Sequence, residues 1–270
     1  MFTEVEGKYV GDKFGELVSE NGLSANLFVK NGHAFKVFNK GTDKADIEKE
    51  AAIMIAVNKK KLPSPHTYGI VEADGYYAIE MEYIPGDAMI NKIINYATVG
   101  NYTALEEEIV RLAQVQFLIH QIEADGFEDY KKYLKDIFAT KEELSDSQKE
   151  YLMGYLESLP SGNKIVHGDF HPMNIIYRGT DPVVIDWATA GAGIPACDVA
   201  RTYLNFSYPP VRILQKEEVR MNERYLDAYN AISGIKYEDI VVWFPVAAGL
   251  SIGRDPVFSK NMQKYLNIQY

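Results

Sequence analysis

His167-Gly168-Asp169-Phe170-His171-Pro172-Met173-Asn174, followed by Val183-Val184-Ile185-Asp186-Trp187, sets one carboxylate, one carboxamide and a second carboxylate in chain order. Asp169 and Asn174 lie five residues apart, and Asp186 comes after a turn-bearing insert. Moving a γ-phosphoryl group requires an acceptor for the attacking hydroxyl's proton and oxygen ligands for a metal that bridges the phosphates. Mg²⁺ takes hard oxygen ligands, and only one or two carboxylates from the protein beside the phosphates. Asp169 fits the first requirement; Asn174 and Asp186 fit the second. Any one of these residues alone would serve equally well in a tight turn or at a strand end. All three at this spacing, with Ile175-Ile176-Tyr177 and Val183-Val184-Ile185 as a hairpin between them, favour the phosphoryl-transfer reading.

Working outward, the first third reads as strands punctuated by turns: Gly15–Val18, Ala25–Val29 and His33–Phe38. Asn21-Gly22 and Asn31-Gly32 are strong hairpin signals. A helix is expected from near Asp43 to Lys60, with Ile47, Ala51, Met54 and Ile55 as its apolar stripe and Thr42 or Asp43 as its cap. Leu62-Pro63-Ser64-Pro65 ends it. Two further strands, Thr67–Val71 and Tyr76–Tyr83, flank the Asp74-Gly75 turn. Pro85-Gly86-Asp87 interrupts this pattern and marks a boundary between residues 1–84 and 85–270. Beyond it helical periods dominate, with Leu105, Ile109, Leu112, Val115 and Ile119 at spacings of three and four. Weaker helical periods run over Ser147–Leu159, Glu217–Ile232 and Tyr237–Ile252. The fold class is therefore α+β: a small β-rich lobe with one helix, then a larger, mainly helical lobe.

The quoted residues resemble the aminoglycoside phosphotransferase and choline kinase group, which shares the two-lobed protein kinase-like fold. His167-Gly168-Asp169, Asn174 and Ile185-Asp186-Trp187 carry the resemblance, with weaker echoes from about residue 14 to 205. There is no His-Arg-Asp loop and no Asp-Phe-Gly at the metal position, which speaks against a protein substrate. The resemblance implies that Lys36 meets the α/β-phosphates and that a helix glutamate, Glu50, orients it. Ala34 would leave room over the adenine ring. Ser24, in the Asn21-Gly22 turn, would face a phosphate. The backbone of Glu82 and Ile84 would hold the purine edge, with Met81 at the back of that pocket. Such backbone contacts do not choose between ATP and GTP, so ATP is the default. Asp169, with a near-normal pKa, would take or orient the acceptor's proton; Asn174 and Asp186 would hold Mg²⁺. His167 would secure its loop, His171 would line the cleft, Asp198 would brace the loop, and His120 would be structural.

Composition narrows the remaining classes. With 47% hydrophobic and 24% charged residues the 270-residue chain is ordinary for a soluble enzyme. Its net charge of −10 disfavours nucleic acid and anionic membrane surfaces and would suit a cationic substrate. The single Cys197 allows no intramolecular disulfide and fits a reducing compartment. Residues 1–6 are acidic and lack the apolar core of a signal peptide, and the longest apolar stretch, Ile240–Gly253, is too short to span a bilayer. A cytoplasmic protein is expected.

The reading is thus an ATP- and Mg²⁺-dependent phosphotransferase acting on a hydroxyl of a small molecule. The acceptors in the resembled group are aminoglycosides, amino sugars, choline, ethanolamine, homoserine and related compounds. Trp187, Tyr203, Tyr208 and Trp243 could cage a quaternary ammonium, or serve as core aromatics. Asp227, Glu238, Asp239 and Asp255 could meet an amine. Two other readings stand beside this one: a catalytically inactive kinase-like nucleotide-binding module, and a metallohydrolase built on His167-x-Asp169-x-His171.

Overall fold

The computed structural model describes residues 10–19, 25–209, 212–254 and 256–266. The chain divides into two compact units, Met1–Gly86 with Ile176–Ala188, and Asp87–Ile175 with Thr189–Tyr270.

In the first unit, β1 (Glu16–Ser19), β2 (Ala25–Lys30), β3 (His33–Phe38), β4 (Thr67–Ala73) and β5 (Tyr76–Glu82) form one antiparallel sheet in the order β1-β2-β3-β5-β4. All five strands lie where alternation and turn residues place them. The Asn31-Gly32 and Asp74-Gly75 pairs have φ of 52° and 81° in both turns, the left-handed pair of a two-residue hairpin. The expected Asn21-Gly22 turn, and Ser24 with it, lie outside the described residues. Alternation along β3 turns Val37 into a core of Val10, Phe14, Phe28, Tyr76 and Ala78, so its neighbour Lys36 faces the other side of the sheet. On that side lies α1 (Lys44–Lys59), capped by Asp43, whose carboxylate accepts from the Ala45 N–H at 2.9 Å. Its buried stripe, Ile47, Ala51, Met54 and Val57, packs on β4 and β5. Burying each of the larger of these side chains stabilises by about 1.5–3 kcal/mol.

The hairpin of Ile175–Arg178 and Asp181–Val184 belongs by chain order to the second half, yet its residues from Ile176 onward group with the first unit. The Val184 N–H donates to the Pro63 carbonyl at 2.7 Å, and Arg178 pairs with Glu82 at 2.6 Å. Gly86 closes the same contact, because a Cβ there would stand 1.8 Å from the Tyr177 carbonyl oxygen.

The second unit contains α2 (Met89–Val99), α3 (Tyr102–His120), α4 (Tyr130–Thr140), α5 (Asp146–Ser158), α6 (Pro195–Ser207), α7 (Glu218–Ser233), α8 (Tyr237–Val241), α9 (Phe244–Ser251) and α10 (Pro256–Leu266). A short ladder pairs Lys164–Val166 with Gly191–Gly193. Helix α3 packs on α2 and α7, and α6 packs on α7 and α9. The periodic stretches expected to be helical form α3, α5 and α7. Tyr237–Ile252 is not one helix but two, α8 and α9, with Pro245 in the first turn of α9, where its missing N–H costs nothing. Helices α2, α4, α6 and α10 go beyond the expected set, although each carries a one-sided apolar stripe. Helix α6 is buried on nearly every side, its polar Asp198 and Thr202 included. Among the described residues no helix is long and apolar enough to cross a membrane.

Replacing Gly86 by Ala is expected to force the Tyr177 backbone away and to destabilise the protein by about 1–3 kcal/mol, the usual range for overpacking. Chemical denaturation would read this as a lowered midpoint with an unchanged slope; an unchanged midpoint would show that this approach is not a constraint.

Candidate active site

Three of the residues singled out in the sequence meet in the first unit. The Lys36 ammonium lies 2.5 Å from a Glu50 carboxylate oxygen and 3.6 Å from one of Asp186. Register explains the first contact: Lys36 points toward α1, and Glu50 sits one turn from Ile47 and Met54 on the face of α1 that turns to the sheet. Asp186 follows the hairpin with φ of 60°, a left-handed conformation that Asp tolerates better than most residues. Burial works against the Lys36 charge, but Glu50 and Asp186 outweigh it and raise its pKa. Two carboxylates around one ammonium leave a negative excess, and the Asp186 side chain is half exposed.

Met81 and Ala34 are cross-strand partners on the face that carries Lys36. The Glu82 N–H donates to the His66 carbonyl at 2.7 Å, its carboxylate pairs with Arg178, and the Ile84 carbonyl accepts from the Gly86 N–H at 2.9 Å.

Asp169 and Asn174 meet in the second unit, on the loop that follows the Lys164–Val166 strand. A buried carboxylate shapes that loop. Asp198 accepts from the N–H groups of His167 and Gly168, each at 2.9 Å, and from His120 Nε2 at 3.1 Å. Tyr229 in turn contacts His120 Nδ1 at 2.5 Å. Burial opposes ionisation of Asp198, and the hydrogen bond and charge of His120 overcome it, so its pKa is lowered. His167 Nδ1 accepts from the Asp169 N–H at 3.2 Å, and Thr202 Oγ1 lies 2.8 Å from the Phe170 carbonyl. Gly168 has φ of +82°, and a Cβ there would come within 2.8 Å of Thr189, so only glycine fits. The Asn174 amide nitrogen donates to the Asp169 carbonyl at 3.0 Å, which leaves its hard-oxygen end for a ligand. That oxygen, and the half-exposed carboxylate of Asp186, are donors of the type a divalent cation such as Mg²⁺ takes.

Arg201, which neither spacing nor pattern had singled out as functional, clamps Asp169. Its Nε and Nη2 lie 3.1 and 2.9 Å from Asp169 Oδ1, while His171 Nε2 stands 3.7 Å from Oδ2. Burial raises the pKa of Asp169, but Arg201 and then His171 prevail and hold it well below the usual carboxylate range. This corrects the expectation of a near-normal value. The one available signal was a cation three residues past Asp198 in a stretch otherwise made of small and apolar residues.

Other expectations fall away. Trp187 and Trp243 are 1% and 2% exposed and belong to the core, not to an aromatic cage. Tyr203 stacks on Phe244, and the ring of Tyr208 already faces Lys264. Asp227, Glu238 and Asp239 are exposed on α7 and α8, and Asp255 lies outside the described residues. His167-x-Asp169-x-His171 does not assemble as a zinc triad, since His167 Nδ1 is engaged by the Asp169 N–H. Among the described residues no three His, Cys, Asp or Glu side chains are grouped to hold a metal ion.

A model of the phosphotransferase enzyme family, APH, matches residues 17–236. Comparison with curated proteins finds no match. Among solved structures, the apo form of a thermostable mutant of aminoglycoside phosphotransferase APH(4)-Ia aligns with a TM-score of 0.61 at 16% identity, covering 96% of this chain and 94% of that one. Choline kinase LicA from Streptococcus pneumoniae gives 0.61 at 14%, covering 97% and 92%. The gentamicin complex of APH(2")-IIa gives 0.57 at 16%, covering 100% and 97%. At such identities the likeness is one of fold, and it matches the kinase-like class expected from the sequence.

Replacing Arg201 by Met would leave the largely buried Asp169 carboxylate without its counter-charge. A loss of about 3 kcal/mol is expected, the low end for breaking a buried pair because Asp169 keeps some solvent contact. The double variant Arg201→Met, Asp169→Asn should recover part of it in equilibrium denaturation; equal loss in both would show that the pair is not what Arg201 contributes.

Proposed function

The chain belongs to the phosphotransferase enzyme family, and from that premise we propose that it transfers the γ-phosphate of ATP, with Mg²⁺, to a hydroxyl of a small molecule. The Lys36–Glu50–Asp186 cluster carries this reading. A part-buried ammonium held between two carboxylates 2.5 and 3.6 Å away is poorly explained by stability, since such pairs repay little of their desolvation cost. It is well explained by a polyphosphate that Lys36 would grip and a divalent cation that Asp186 would hold.

In this reading residues 1–84 bind the nucleotide, and residues 85–270 supply catalysis and the acceptor site. Glu50 fixes the Lys36 ammonium against the α/β-phosphates. The Glu82 carbonyl and the Ile84 N–H would take the purine edge, with Ala34 and Met81 against the ring. Asn174 and Asp186 would hold Mg²⁺, which would supply neutralising charge to the phosphate oxygens. Arg201 fixes Asp169 through Oδ1, so Oδ2 is the atom left to receive the acceptor's hydroxyl. A carboxylate held this far down is a weak base, so its task is to orient that hydroxyl and take the proton late, as a loose transition state allows. Fixed charges then provide most of the rate. ATP is favoured over GTP by the AMP-PNP complex of an APH(4)-Ia mutant. The acceptors put forward by relatives of this fold include hygromycin B, gentamicin and choline. The protein would act in the cytoplasm. An inactive nucleotide-binding module is disfavoured because the lysine, the proton acceptor and both metal positions are all present.

Asp169→Asn should bind MgATP normally and lose about 10²–10⁴-fold in turnover, whereas Asp186→Ala should lose Mg²⁺-dependent nucleotide binding. Calorimetry alongside a coupled ADP-release assay separates the two. Near-normal turnover in the first variant, or normal MgATP binding in the second, removes that residue from its role.

A further inference from the structure

The second unit contains a cavity of about 150 Å³ beside the Asp169 loop. Ile90, Met173, Phe206 and Phe258 give it apolar walls, and His171 and Arg254 are among its few polar ones. His171 joins it to the reacting centre, because its Nε2 is 3.7 Å from Asp169 Oδ2 while its Nδ1 is buried without a hydrogen-bond partner among the described residues. A hydroxyl bound there would be held next to Asp169.

Another part of the lining has a definite polarity, and its Arg254 is also one of the charges that lower the pKa of Asp169. Arg254 Nη1 donates to Asn205 Oδ1 at 2.9 Å. That bond fixes the Asn205 amide, whose Nδ2 is buried and, among the described residues, has no acceptor. A guanidinium and an orphaned amide N–H, side by side, are both donors. They call for an acceptor group, and the guanidinium calls for a negative one. Among the described residues lining the cavity there is no carboxylate; Glu218 lines two other cavities that share Tyr208 with it. The surrounding charges are mixed: burial lowers the pKa of Lys141, Glu143 raises it, and Arg201 and Arg254 lower it further, while Lys264 lies over the Tyr208 ring at 5.0 Å. A polycation would have to bury ammonium groups here without partners, at a cost of several kcal/mol each.

We propose that the acceptor is a small molecule with an apolar body, a hydroxyl at one end and a single anionic group at the other, which Arg254 and Asn205 receive. This rests on the phosphotransferase reading for the fate of the hydroxyl, and departs from the amine acceptors that relatives of the fold suggest. A chain-wide charge of −10 points the other way, but local donors decide binding at contact distance, where screening is least.

The test uses three probes that differ only in one terminal group: hydroxyhexanoate, aminohexanol and hexanediol. Ligand-observed NMR titrations on the full-length protein, with and without MgATP, measure their binding, and ADP release measures their turnover. Hydroxyhexanoate is expected to bind about tenfold or more tighter than aminohexanol, the ordinary worth of a charge-assisted hydrogen bond. Arg254→Gln, a substitution at an exposed position, should reduce that preference to about twofold or less by raising KM, with kcat retained; Asn205→Ala should weaken it in part. A preference for aminohexanol, equal binding of all three, binding of none, or a preference that survives Arg254→Gln overturns the proposal. Selective binding of hydroxyhexanoate without any ADP release would support the anionic subsite and refute phosphoryl transfer. ADP release with amine acceptors alone would do the reverse.

Discussion

The buried carboxylate of Asp198 is the constraint on which the catalytic loop depends. Two backbone N–H groups at the head of that loop and the His120 ring converge on it, and Tyr229 holds His120 from the other side. A carboxylate this deep would be untenable without such partners. The same requirement ties α3, α6 and α7 to the loop they surround. Gln116 on α3 links Thr202 on α6 to Tyr225 on α7, and Thr202 reaches the Phe170 carbonyl. The position of Asp169 is therefore set by a hydrogen-bonded network running through three helices, and Arg201 on α6 finishes it.

The first unit solves a different electrostatic problem. Lys36 is kept charged on the α1 side of a sheet whose other side is apolar core, and two carboxylates rather than one surround it. A purely structural lysine needs a single partner. The excess negative charge, together with the left-handed backbone that presents Asp186, makes sense if a cation is to be held there while phosphates engage Lys36.

Much of this could be read from the residues alone. Period-two alternation and Asn-Gly or Asp-Gly turns gave the five strands, and the spacing of Asp169, Asn174 and Asp186 gave the reaction class. Lys36 and Glu50 came from the family resemblance, and the faces of β3 and α1 that they occupy agree with a pairing of the two. What stayed hidden depended on contacts distant in sequence. Arg201 is 32 residues from Asp169, and nothing local marks a cation as its partner. Helix α6 buries polar side chains, Asp198 and Thr202, beside its apolar ones, and which partners those polar groups meet is not written in the local sequence. The grouping of the Ile176–Ala188 segment with the sheet-bearing unit runs against chain order and is fixed by the Pro63 and Glu82 contacts. Composition left the two tryptophans open between core and cage, and their burial decides for the core.

The central proposal is that Asn174 and Asp186 would each serve as ligands of a bound nucleotide's metal ion. A crystal structure with Mg²⁺ and a non-hydrolysable ATP analogue tests it most directly. Oxygens of both side chains are expected about 2.1 Å from the metal, with Lys36 on the α/β-phosphates and Asp169 Oδ2 facing the γ-phosphate. A bound nucleotide whose metal is held without Asn174 and Asp186, or whose γ-phosphate lies out of reach of Asp169, would contradict it.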